Sequence, residues 1–370
     1  MLTDARPVVG PSSPSAPGVA SDRRYTNLEI VRILAAALVI FFHLQQRFAL
    51  ELGLMQGFNT ALGTLGSIGV DLFFVISGFV MALNVFRGDR AGRFAVARAS
   101  RILPSYWLLT AVAALTTIAL PGQFAQPFSL GRFISSLFFV DVEAGYPEPL
   151  ISMGWTLDLE IRFYLIVTLC LFLLPRAAPR YLVLVLVVSG LVAYVELAHQ
   201  DHIMYEFGLG FAAFGFMKLV EPGRLVGCAL IVVGVLGVAA WQVGLTGAQD
   251  RWLAFGVPAL LIVLGVLLLP QARHPFLKRL GFASYGTYLL QWFTIPVTVA
   301  LVAALHVGGE LAPVMFTISL VACVAAGVLY SLLVDERLYA LARRLLTPRL
   351  SRVTPASGAR TPPGPPRATT

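Results

Sequence analysis

Long apolar runs, each close to twenty residues, punctuate the chain. They fall at about 28–50, 66–86, 102–121, 154–175, 180–197, 203–220, 224–243, 252–269, 282–305 and 312–334. A helix needs about 20 apolar residues to cross the hydrocarbon core of a bilayer, so the pattern gives ten candidate crossings. The expected fold is an all-α integral membrane protein, a bundle of about ten transmembrane helices. The longest connection, 122–153, holds a shorter apolar run, Phe133–Val140. It is too short to span and suits a re-entrant or interfacial segment. No soluble repeat, dinucleotide-type glycine loop or phosphate-binding loop interrupts the series. The glycine pairs Gly208/Gly210 and Gly308/Gly309 suit close helix approach or turns.

Composition supports this reading. Of 370 residues, 58% are hydrophobic and 12% charged, about half the charged share of a soluble domain. Residues 1–26 are rich in Pro, Ser and Gly and read as a disordered cytoplasmic tail with no cleaved signal peptide. Residues 27–337 form the membrane domain, and 338–370 a basic, Pro-rich cytoplasmic tail. The three cysteines, Cys170, Cys228 and Cys323, lie in apolar segments without metal-ligand spacing, so they read as packing residues, and no metal site is expected.

The net charge of +8 reports sidedness instead of a nucleic-acid partner. With the amino terminus cytoplasmic, 22 of the 27 basic residues fall on the inner side. The outer side keeps Arg47, Arg132 and Arg251, and only Arg32 and Arg162 lie within crossings. Ten crossings with both ends inside therefore obey the positive-inside rule at every connection.

Ionisable groups at membrane depth are costly and mark function by default. Helix 1 holds Glu29, Arg32 and His43. Arg32 and His43 are eleven residues apart, about three turns and about 16 Å, and share a face. Glu29 can pair with Arg32, or both can be interfacial residues that snorkel. His43 reads as a general base, because a neutral imidazole is populated near pH 7; the alternative is a structural histidine with satisfied hydrogen bonds. Asp71 and Glu160 start inward-running helices and are expected at the depth of His43, where a carboxylate would orient the ring. Asp71 also fits a helix-start residue favoured by the macrodipole. Asp158 is expected nearer the rim and solvated, with Arg162 neutralising a carboxylate. Arg98 and Arg101, spaced i, i+3 at the start of a crossing, suit either phosphate binding or topological anchoring.

These residues sit in five ordered stretches: Asn27-Leu28-Glu29-Ile30-Val31-Arg32 through His43; Gly69-Val70-Asp71-Leu72-Phe73-Phe74 through Phe79; Arg98-x-x-Arg101-x-x-Pro104-x-Tyr106-Trp107; Trp155-Thr156-Leu157-x-x-Glu160-x-x-Phe163-Tyr164; and Ser284-Tyr285-Gly286-Thr287-Tyr288-Leu289. Together they resemble the acyltransferase-3 family of membrane O-acyltransferases, most of all its exopolysaccharide-modifying branch. The resemblance implies transfer of an acyl group from acyl-CoA, usually acetyl-CoA, to a hydroxyl of a sugar or another acceptor. Acyl-CoA enters as a co-substrate, with no tightly bound cofactor. By matching position, His43 would be the essential histidine and Arg32 its companion. Arg98 and Arg101 would form the donor-binding pair. Many members carry a histidine where this chain has Gln291, and some add a soluble hydrolase-like domain.

The expected mechanism follows. Acyl-CoA binds from the cytoplasm through Arg98 and Arg101, its thioester reaches His43 along the stripe begun by Arg32, and His43 deprotonates the acceptor hydroxyl. Glu160 and Asp71 orient or balance the imidazole. The expected setting is the inner (plasma) membrane, with acyl-CoA, a carbohydrate acceptor and the lipid bilayer as partners and no nucleic acid. A transporter or flippase for an acyl or glycan precursor is the alternative, although no related halves are visible.

Overall fold

The computed structural model describes residues 25–121, 127–174, 180–198, 202–221, 223–245 and 250–347. The tail residues 1–24 and 348–370 lie outside the described residues. Among the described residues the chain forms thirteen α-helices and no strand. They are α1 (Asn27–Glu51), α2 (Gln56–Leu62), α3 (Ile68–Arg87), α4 (Ala91–Ala119), α5 (Leu130–Phe138), α6 (Gly154–Leu173) and α7 (Arg180–Ala198). Then come α8 (Tyr205–Phe216), α9 (Arg224–Gln242), α10 (Val257–Leu268), α11 (Phe276–Ala304), α12 (Ala312–Tyr330) and α13 (Glu336–Leu346).

Each of the ten apolar blocks holds a helix. Six helical stretches are long and apolar enough to cross a membrane: Asn27–Glu51, Leu65–Arg87, Ala91–Ala119, Arg224–Gln242, Phe276–Ala304 and Gly309–Leu346. The others are shorter or more charged. The 20 residues of α6 include Asp158, Glu160 and Arg162. The 12 residues of α8 span only about 18 Å at 1.5 Å per residue. The run Phe133–Val140 overlaps the nine-residue α5, which is capped at its start by the Ser129 hydroxyl and ends before Phe139. The boundary expected at Arg337 falls inside α13, which packs on α4. Residues 338–346 therefore continue the helical body.

Helix α1 is central and packs on α3, α10, α11 and α12. Its first residue, Asn27, is tied to the connection before α11: its side-chain amide donates to the Pro270 carbonyl at 3.1 Å and accepts from Ala272 N at 2.9 Å. Small residues set the closest crossings, since water release gives no driving force between helices in lipid. Gly69 of α3 lies against the Ala35 carbonyl and Val39 of α1, and Gly66 lies against Leu38 and Phe42. These contacts fix an antiparallel register. Large exposed side chains form outward bands, such as Leu165, Leu169 and Phe172 on α6 and Val232, Val233 and Leu236 on α9. Apolar area of this extent suits lipid, not water.

Two helical segments widen into π-type turns. Trp252–Gly256 follows Arg251 and leads into α10, and Ser331–Asp335 joins α12 to α13. Such bulges re-aim side chains within an otherwise regular helix. Here each adjoins or contains a charged partner of a buried ion pair.

Candidate active site

Four helices enclose a cavity of about 50 Å³, room for a few water molecules. Helix α1 contributes Arg32; α3 contributes Val70, Phe73, Phe74 and Ser77; α6 contributes Thr156, Leu157 and Glu160; α11 contributes Tyr285 and Tyr288. The 3.6-residue period explains the α3 set: Val70, Phe73, Phe74 and Ser77 recur at i, i+3, i+4 and i+7 and form one face. The walls are largely aromatic and aliphatic, with one cation and one carboxylate between them.

Glu160 is held by two hydroxyls. Its Oε1 accepts from Ser77 Oγ at 2.9 Å and from the Tyr164 hydroxyl one turn along α6. Arg32 leans toward Glu29, at 3.9 Å. Near the start of α6 the Thr156 and Tyr288 hydroxyls are 2.8 Å apart, and Tyr288 OH also lies 3.3 Å from the Met153 carbonyl. Tyr285 OH donates to the Ile102 carbonyl at 2.8 Å, tying α11 to α4. Both tyrosines are buried.

The two arginines of α4 diverge. Arg101 Nη1 is 2.9 Å from Asp335 Oδ2, and Nη2 is 2.5 Å from the Phe282 carbonyl. Its guanidinium carbon stacks 3.8 Å from the Phe282 ring centroid and 4.9 Å from that of Tyr285. Ser105 Oγ donates to the other Asp335 oxygen at 2.5 Å. Arg98 instead lies 5.9 Å from the Tyr164 ring centroid, and its buried Nε has no hydrogen-bond partner. One guanidinium is thus committed to the protein's own groups, while the other has hydrogen bonds to give. Equal use of both for the donor, as the i, i+3 spacing suggests, does not match this geometry.

Asp71 is fully buried and paired with Arg251 at 2.7 Å. Glu206 of α8 is also fully buried and faces the Asp71 carboxyl. Helix α6 bears a further pair: Arg162 grips both oxygens of Asp158, at 2.7 and 2.9 Å, and reaches Glu143 at 2.7 Å. Asp158 is therefore buried and bidentately held, not solvated at the rim. In the 139–153 connection, the hydrogen bond from Arg162 holds the Glu143 carboxyl below its usual range.

His43 occupies a different level. It lies on the Arg32 face of α1 but eleven residues, or about 16 Å, along the axis. Its ring meets Phe42 edge-on, with centroids 4.9 Å apart, and its side chain is half-buried. Among the described residues no hydrogen bond or ion pair engages the imidazole. The α1–α3 register explains the separation. Gly66 lies level with residues 38–42, Gly69 with 35–39, and Ser77 and its partner Glu160 further toward the start of α1. The expectation of one shared depth for His43, Asp71 and Glu160 is thereby corrected. The structure brings Arg32 and Glu160 to one pocket, gives Asp71 to Arg251, and leaves His43 at the far end of the stripe.

Several site residues escaped the sequence. Tyr164 is four residues from Glu160, so its bond was available from helical spacing. Ser77, Tyr285 and Tyr288 stood in recognised stretches without a role. Nothing local in the sequence pairs Asp335 with Arg101 or Glu206 with Asp71.

The family model described as "Acyltransferase domain" matches residues 25–332. Among curated proteins, the chain is 35% identical over 263 residues to the exopolysaccharide production protein ExoZ of Rhizobium meliloti, covering 66% of this chain and 81% of that protein. It is 24% identical over 305 residues to the O-acetyl transferase of Shigella phage Sf6, covering 76% and 86%. It is 24% identical over 328 residues to the peptidoglycan O-acetyltransferase OatA of Listeria monocytogenes, covering 75% of this chain and 50% of that protein. No solved structure matches.

Proposed function

The chain belongs to the acyltransferase-3 family of acyl-transferring enzymes, and on that premise we propose that it is a membrane O-acetyltransferase that moves an acetyl group from acetyl-CoA to a hydroxyl of an exopolysaccharide or related glycan. The observation that carries the reading is the pocket that brings Arg32 and Glu160 together between α1, α3, α6 and α11, on the same face of α1 as an imidazole that, among the described residues, has no hydrogen-bond or ion-pair partner. Membership favours group transfer over the transporter alternative. The names of the exopolysaccharide and O-acetyl relatives support the acceptor class and the acyl group.

The proposed topology has ten crossings and both termini on the cytoplasmic side of the inner membrane. Its support is the charge distribution along the connections. In that orientation the starts of α1, α4 and α11 face the cytoplasm, and His43 lies in the outer half.

The proposed reaction uses this separation. The donor enters at the inner end, where Arg98 offers an unpartnered guanidinium to its phosphates. The extended arm of the donor passes Arg32 and Glu160 and presents its thioester toward His43. His43 accepts the proton of the acceptor hydroxyl as the oxygen attacks the thioester carbonyl. The carbon–sulfur bond then breaks, and the imidazolium returns the proton to the departing thiolate. Arg32 balances charge along the passage. Glu160, fixed by Ser77 and Tyr164, holds its shape and acts on His43 only through it. Asp71 holds α3 through Arg251, which keeps the α3 wall of the pocket in place. The largely apolar walls of the pocket limit entry of water along the donor's path.

Mass spectrometry of envelope glycans from cells with and without the chain tests the reading. The expected result is a glycan species heavier by one acetyl group that depends on the chain. Identical glycan spectra, with labelled acetyl-CoA left intact by the purified protein, would exclude it.

A further inference from the structure

A second cavity, an open surface cleft of about 320 Å³, lies beside the first two turns of α11. Lys278, Arg279 and Phe282 line it from α11, and Glu336 and Tyr339 from α13. Lys278 and Arg279 are exposed. Among the described residues neither has an ion-pair or hydrogen-bond partner. Arg343 adds a third cation at the edge, its guanidinium carbon 6.0 Å from the Tyr339 ring centroid. Against these cations stands one carboxylate, Glu336. The balance is positive, and the Lys278 and Arg279 donors are uncommitted among the described residues.

This cavity adjoins the reaction pocket along one face of α11. Phe282 lines the second cavity and Tyr285, one turn further, lines the pocket. Arg101 lies between them, stacked on both rings and anchored to Asp335. The partition is therefore a stack of two rings about one guanidinium that already donates to Asp335 and to the Phe282 carbonyl. A polyanion approaching from this end meets Lys278 and Arg279 before it can reach Arg101.

We propose that Lys278 and Arg279 form an anion subsite for the phosphorylated end of the acyl donor, with Arg101 a positioning residue in the wall between that subsite and the pocket. The inference rests on the proposed thioester donor. The chemistry recognised is a phosphate ester, which a free nucleotide-bearing donor and an anionic lipid headgroup both present. Two exposed cations also gain from a lipid phosphate, so the lipid must be controlled.

The test uses the full chain in phosphatidylcholine nanodiscs. CoA binding is titrated for wild type and for the Lys278→Gln/Arg279→Gln double variant, then repeated with phosphatidylglycerol present. Acetyl transfer from acetyl-pantetheine, which lacks the phosphates, is measured alongside. Both side chains are exposed, so the variant is expected to fold, and its melting temperature checks this. Loss of two charge-assisted contacts should weaken CoA binding about tenfold or more, less so as salt is raised, with acetyl-pantetheine transfer unchanged. Unchanged CoA affinity in phosphatidylcholine would overturn the subsite. So would a loss seen only when phosphatidylglycerol is present, which would assign the cations to lipid. If CoA binding weakens as expected but wild type transfers from neither thioester, the subsite stands and the acyltransfer reading fails.

Discussion

Arg101 and Asp335, 234 residues apart in sequence, meet in an ion pair of 2.9 Å at the junction of α4, α11 and the π-type turn before α13. Asp335 is almost wholly buried, and Ser105 satisfies its second oxygen. Removing the guanidinium leaves a buried carboxylate uncompensated. Arg101→Ala is expected to lower stability by about 3 kcal/mol, read as a drop in melting temperature in detergent. Arg101→Lys should recover little, because an ammonium cannot both stack between Phe282 and Tyr285 and reach two acceptors. A lysine variant as stable as wild type would contradict the positioning role.

The same logic applies to Asp71 and Arg251. Arg251→Leu should cost about 3 kcal/mol by leaving the fully buried Asp71 unpaired. Adding Asp71→Asn should return part of that loss. A double-mutant cycle in detergent-solubilised protein measures the coupling. Additive effects would mean that the pair contributes nothing together.

Glu160 is expected to act through placement. Glu160→Ala should lower acetyl transfer by at least a hundredfold. Glu160→Gln keeps an oxygen that can accept from Ser77 and Tyr164, so it should retain more activity than the alanine variant. Tyr164→Phe removes one of the two bonds, worth about 1 kcal/mol, and should cost about fivefold. Steady-state transfer assays on the three proteins check the order. Equal activity of the alanine and glutamine variants would show that the hydrogen bonds do not matter.

The Glu143–Arg162 pair gives a pH effect. Glu143 titrates below its ordinary value of 4.5 because Arg162 donates to its carboxylate. The anchor's contribution is full above 4.5 and is lost as pH falls through the lower folded value. Hydrogen-exchange protection in the 139–153 connection, corrected for the intrinsic rate at each pH, should therefore fall under acid, and Glu143→Gln should show the low protection at every pH. Protection in the wild type that does not change with acid would contradict the anchor.

Much of this was legible in the chain. Each of the ten apolar blocks holds a helix, and six helical stretches are long and apolar enough to cross a membrane. Arg32 and Glu160 stood out because charge at depth is costly. What was not legible was register. Depth for His43, Asp71 and Glu160 was counted from the helix starts, but Gly66 and Gly69 slide α3 along α1 until Ser77 and Glu160 lie near Arg32. No local pattern encodes that slide. The different fates of Arg98 and Arg101 were hidden for the same reason, since Asp335 and Phe282 come to Arg101 only through tertiary packing. The π-type turn that carries Asp335 has no signature in the local residue pattern.

The role of His43 is tested most directly by acetyl transfer from labelled acetyl-CoA to the acceptor glycan, with His43→Ala compared to wild type in nanodiscs at equal melting temperature. Loss of a general base should slow transfer by a hundredfold to ten-thousandfold, with CoA affinity retained. Transfer at the wild-type rate by a folded His43→Ala protein would contradict it.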